Sequence, residues 1–156
     1  MPTFVKGGGV STPFGRNEYL RSTNPKPRFE SYTVAAASVP VRVIDGTNQK
    51  ILQPGTVMAK ITSGPDAGKV GPYSTDTVGV TDGRSAAANI VGLNDTFLPW
   101  QLLEEDCEIA VAYDSTMAVQ AWCFEYTAAG AAVPQPLSNA TADAMRGNKK
   151  LNVNFS

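Results

Sequence analysis

The sequence predicts a small, mainly β domain, sandwich or barrel-like, with an extended amino-terminal arm and a short helix near its carboxyl end. Three observations carry that expectation. Glycine and proline are frequent, 14 and 11 among 156 residues, which favours many short strands over long helices. Turn-forming residues recur about every 8–12 positions between short β-branched and aromatic runs, the spacing of an all-β sandwich or barrel. The first thirty residues show neither a helical nor an alternating apolar period. The length suits one domain with tails, and 42% hydrophobic residues against 17% charged supply ample material for a core.

The arm, residues 1–30, contains Gly7-Gly8-Gly9, Pro13, Pro25 and Pro27 and has no apolar period of its own. Yet Phe4, Phe14, Tyr19, Phe29 and Tyr32 place five of the chain's thirteen aromatics in its first 32 positions. Linkers are usually poor in aromatics, so the arm is expected to lie on another surface, a partner chain ahead of the alternative that it wraps its own body. Its expected contacts are Phe4, Phe14, Arg16, Tyr19, Arg21, Arg28 and Phe29. Removing residues 1–28 is expected to leave the body folded and nearly as stable.

The body, residues 31–126, starts with SYTVAAASVPVRVIDG, which alternates around Val39, Val41 and Val43 into an Asp45-Gly46 hairpin turn. KILQPGTVMAKI predicts two strands about Pro54-Gly55, a pair that suits the central positions of a type II turn. VGPY and TVGVT continue as short β pieces, Asp82-Gly83 turns the chain again, and SAAANIVGLN follows. CEIAVAY and MAVQAWCFEY are expected as two core strands separated by Asp114-Ser115-Thr116. In residues 127–156 a linker, TAAGAAVPQP, precedes a short helix capped by Ser138 or Asn139 and stopped at Gly147. KKLNVNF closes the chain as a strand.

Net charge is −1 but unevenly spread. Residues 1–30 hold five basic and two acidic side chains (+3), residues 31–126 five and eleven (−6), and residues 127–156 three and one (+2). An acidic body is a poor surface for nucleic acid, which calls for concentrated positive charge. No nucleic-acid or membrane partner and no cofactor is expected. The start lacks the apolar core of a secretion signal.

There is no histidine, which removes imidazole-based triads and metal sites. SGPDAGKV approaches a phosphate loop but fails it. Gly64 and Gly68 stand too close, Pro65 lacks an N–H, and Val70 takes the place of the required hydroxyl. Glu104, Glu105, Asp106 and Glu108 form an acidic run without the spacing of a calcium loop. RVIDG at Arg42–Gly46 resembles one motif of trimeric dUTP-hydrolysing enzymes, without that family's other motifs. Cys107 and Cys123 fit no metal spacing and are expected as buried thiols.

Leu52–Thr62 (LQPGTVMAKIT), Lys69–Tyr73 (KVGPY), Asp82-Gly83 and Ile90–Leu93, followed by the two apolar runs, resemble in order the body of tailed-phage head decoration proteins. TADAMRGNKKLNVNF resembles the close of some members. The likeness covers roughly residues 33–126 and the carboxyl end, and it rests on turns and strands, with Pro54, Gly55, Asp82 and Gly83 as structural corners. It implies a β-tulip type fold and a homotrimer on the outer surface of a virion's capsid, binding the major capsid protein and stabilising contacts between its subunits, without catalysis. Two alternatives stay open: another minor virion structural protein, such as a fibre base or tail component, and a histidine-free β-clip type enzyme using Asp45 or the 104–108 carboxylates.

Overall fold

The computed structural model describes residues 18–21 and 26–155. It is mainly β, with strands β1 (Arg28–Val34), β2 (Arg42–Ile44), β3 (Thr47–Gln49), β4 (Val57–Lys60), β5 (Val70–Pro72), β6 (Ile90–Asn94), β7 (Cys107–Ala118), β8 (Phe124–Glu125), β9 (Gln135–Pro136) and β10 (Asn152–Phe155), and one helix, α1 (Asn139–Gly147), before β10. The main sheet runs β1-β5-β4-β6-β7-β10, and β1 also pairs with β7. Strands β1, β5, β4, β6 and β7 thus close into a ring. Its seam is narrow, because β1 meets β5 at one register pair, Val34 with Val70.

Alternation along the wall sorts side chains into two cores. On β4, Met58 faces a cluster with Val34, Val39, Leu52, Val70, Leu98, Leu102, Ile109 and Val111. Its neighbours Val57 and Ala59 face a second cluster, where Ile90, Leu93 and Ala112 meet Ala142 and Met145 of α1 and Val153 of β10. The helix is therefore held by packing; nine residues would be marginal alone. Each fully buried Val, Leu, Ile or Met stabilises the fold by about 1.5–3 kcal/mol before chain entropy is counted.

Local turn chemistry is as expected. Asp45 and Gly46 both take positive φ, 50° and 74°, joining β2 to β3 as an antiparallel hairpin; this is the type I′ geometry that matches strand twist. Gly55 sits at φ 90°, and Thr56 N–H donates to the Gln53 carbonyl at 3.3 Å, closing the type II turn. At the other end Ser138 caps α1, its hydroxyl accepting from Thr141 N–H at 3.3 Å.

Three expectations need correcting. Asp114-Ser115-Thr116 does not divide two strands, since β7 runs unbroken through it. Asp114 is opposite Arg28 on one edge and Asn152 on the other, and Asn152 Nδ2 donates to its carboxylate at 3.0 Å. Polar residues inside a strand cost little when the neighbouring strands supply their partners. MAVQAWCFEY is correspondingly not a core strand. Its start finishes β7, Gln120–Trp122 forms a 3₁₀ turn, and Phe124–Glu125 is a two-residue strand paired with β9, with Phe124 and Tyr126 bridging Thr56 and Ser74. TVGVT is a loop, because the Asp76 carboxylate accepts the N–H groups of Val78 and Gly79, at 3.2 and 2.8 Å, folding the backbone round itself.

Candidate functional site

The residues expected to contact a partner divide sharply. Phe4, Phe14 and Arg16 lie outside the described residues. Tyr19 does not face a partner at all. It is 2% exposed within the second core, its hydroxyl donates to Asp95 at 2.8 Å, and its carbonyl accepts from Val119 N–H at 2.9 Å. The type II turn explains the fit, since a Cβ at Gly55 would stand 2.7 Å from the Tyr19 Cβ; the bare glycine leaves the room that the ring's base occupies. The chain's own body therefore begins by Tyr19, well inside the stretch expected to be arm, and Leu20 bridges to Ala118 of β7.

Arg28 and Phe29 belong to β1 and pair with β7. Both remain outward. The Arg28 side chain is 72% exposed, 3.7 Å from Asp114, and Phe29 is 41% exposed. Arg21 is exposed too. Other large apolar side chains at the surface are Val41 and Val43 beside the β2–β3 hairpin, Trp100 and Leu103 around a 3₁₀ turn, and Val78, Trp122 and Val133.

The loop that approaches a phosphate site is held by carboxylates. The Lys69 ammonium contacts Asp66 at 3.0 Å and Asp106 at 2.5 Å. Hydrogen bonding to Asp106 and Asp66 raises the Lys69 pKa, and Lys69 together with the Ala36 N–H, 2.7 Å away, holds Asp106 below its usual range. Asp106, from the acidic run, thus ties three loops together, while Glu104, Glu105 and Glu108 are exposed. No group of three metal-ligating side chains occurs among the described residues. Asp45 lies in the hairpin turn, and Asp82 accepts from Arg84 Nε at 2.9 Å while its carbonyl accepts from Thr62 N–H at 2.8 Å.

A cavity of about 260 Å³ opens between Ser38, Pro40, Ser74, Val80, Arg84 and Tyr126. The arginine on its wall serves the fold, with Nη1 donating to the Ser38 and Pro72 carbonyls at 3.1 and 3.3 Å and Nε to Asp82. Both cysteines are free thiols. Cys123 is buried, which pushes its pKa up to about 12. Cys107 is only half-buried, less than expected, because it starts β7 at the rim.

Sequence reasoning passed over Glu125. It is 1% exposed and accepts from Ser138 N–H and Ser138 Oγ, both at 3.0 Å, and from Thr141 Oγ1 at 3.1 Å. Its charge sits at the amino end of α1, where backbone N–H groups and the helix dipole favour an anion. A lone acid in the apolar run WCFEY was the available signal. Comparison of the chain with protein families, with curated proteins and with solved structures finds no match.

Proposed function

We propose that the chain is a structural virion protein, a head decoration protein that binds the outer capsid surface as a trimer and stabilises contacts between major capsid protein subunits. The carrying observation is that the segments on which the family likeness rests fold as contiguous wall. Val57–Lys60 and Val70–Pro72 pair, Val57–Lys60 pairs with Ile90–Asn94, and that strand pairs with Cys107–Ala118. The likeness therefore follows a packed unit rather than scattered turns. The distribution of charge agrees, with an acidic body and basic ends suited to neighbouring acidic surfaces. The exposed Trp100, Leu103, Val41, Val43 and Phe29 supply apolar area that an attachment surface would cover.

The test is to add purified protein to expanded capsids that lack it and reconstruct the particles by electron cryomicroscopy. Density at three-fold or quasi-three-fold positions on the outer surface is expected. Absence of binding, or density confined to a tail or fibre base, overturns the proposal. Rising salt should weaken attachment only in part, since apolar contacts are not screened.

A further inference from the structure

The contacts that fix Arg84 leave one corner of its guanidinium over. Nη1 donates to the Ser38 and Pro72 carbonyls and Nε to Asp82, while Nη2 has no protein partner among the described residues. The Tyr126 hydroxyl has none either, although Tyr126 is only 5% exposed. Among the described residues no partnerless side-chain nitrogen or oxygen is sealed from solvent. Both donors therefore open onto the cavity of about 260 Å³ that Arg84 and Tyr126 line. Ser74 lines it too and is 2% exposed. Its oxygen accepts from Asp76 N–H at 3.2 Å, which leaves its own O–H to donate. Unpaired donors in so confined a place call for an acceptor.

We propose that this cavity binds a carboxylate group, with Arg84 Nη2 and the hydroxyls of Tyr126 and Ser74 as donors to its two oxygens. The charge of the wall favours that ligand. Arg84 is charged and no acid belongs to the lining. The carboxylates near it are engaged elsewhere, Asp82 with Arg84 Nε and Asp76 with the N–H groups of Val78, Gly79 and Ala129 at 3.2, 2.8 and 3.0 Å. One guanidinium matches one negative charge, so a carboxylate fits better than a doubly charged phosphate. Pro40 and Val80 give the cavity an apolar side for a short carbon chain behind the carboxylate. Its volume lies below the roughly 300–1,000 Å³ of sites for drug-sized ligands, which restricts the occupant to a small organic acid or an acidic side chain. The wall is also built in advance. Asp76 ties the 76–80 loop to Ala129, and Thr75 N–H donates to the Tyr126 carbonyl at 3.0 Å, so little ordering remains to oppose binding.

The experiment titrates the full chain, isotopically labelled for amide NMR, with succinate, with its uncharged counterpart succinamide, and with N-acetylglutamate methylamide, at constant ionic strength. Saturable shifts centred on Ser74–Val80 and Ala128–Ala129 are expected, with succinamide bound about tenfold more weakly, since hydrogen bonds to an ionised acceptor are roughly twice as strong as neutral ones. Saturation by succinate alone assigns the carboxylate to a free organic acid and saturation by the glutamate derivative alone to a protein side chain; either supports the site. No saturable binding of either acid, shifts centred elsewhere, or equal binding of succinamide overturns it. Tyr126→Phe keeps the ring and removes one donor, so affinity should fall about two- to tenfold. Ala128→Phe, at an exposed loop position on the rim, should block the cavity and abolish the shifts while the rest of the spectrum stays folded. Unchanged affinity in either folded variant overturns the proposal. The readout involves no particles, so its outcome is independent of capsid decoration.

Discussion

Glu125 brings a carboxylate to a site where three donors from Ser138 and Thr141 converge on it. The desolvation cost of a buried anion is large, and here it is offset by charge-assisted hydrogen bonds and the helix amino terminus. Glu125→Ala would leave those donors facing apolar surroundings, at about 1–3 kcal/mol for each group left unpaired. Thermal or urea unfolding should show the loss, and hydrogen exchange should show α1 loosening before the barrel. Glu125→Gln keeps the shape but turns one acceptor into a donor, so a smaller loss is expected. A Glu125→Ala protein within ~0.5 kcal/mol of the parent, the range of ordinary surface substitutions, would contradict this account.

Among the elements, the boundary between arm and body has the clearest consequence. The expectation that residues 1–28 are dispensable does not survive the burial of Tyr19 in the second core. A chain starting at Glu18 retains that ring; one starting at Arg28 opens a void beside Gly55, Trp122 and Val119. Loss of a buried aromatic costs about 3–5 kcal/mol, so the shorter chain should unfold at distinctly lower denaturant than the longer. Equal midpoints would show that Tyr19 contributes nothing to the core.

For the whole molecule, pH should limit stability at both extremes. Asp106 and Asp76 are held below the ordinary value of 3.8, chiefly by hydrogen bonds from Lys69 and from the Gly79 N–H respectively. The unfolded chain then binds those protons more readily, so this stability is present above pH 3.8 and is lost as pH falls through the lower folded values. On the alkaline side, burial pushes Cys123, Tyr126 and Tyr32 up to about 12, with Glu30 adding to the effect on Tyr32. These groups favour the folded state below their ordinary values of 9.0 and 10.0 and lose that contribution as pH climbs toward 12. Denaturant midpoints should therefore be flat between these limits and fall outside them, with tyrosinate absorbance lagging that of the unfolded chain. Midpoints that fall steadily from neutral pH would refute the assignment.

The parts legible from sequence were those decided by a few adjacent residues. Asp45-Gly46 and Pro54-Gly55 dictate backbone dihedrals where they stand, and Ser138 caps α1 through a contact three residues away. The mainly β class followed from the same local signals repeated along the chain. The continuity of β7 through Asp114, the recruitment of Tyr19 into the core and the satisfaction of Glu125 were not legible. Asp114 is accommodated by Arg28 and Asn152, Tyr19 by Gly55 and Asp95, and Glu125 by Ser138 and Thr141. In isolation each of these side chains reads as a turn, an arm anchor or a surface charge, because a polar or aromatic group's environment is set by partners the chain brings from far away. Turn geometry is a property of neighbouring dihedrals and belongs to the sequence; burial and polar pairing are properties of the closed sheet, and only tertiary structure decided them.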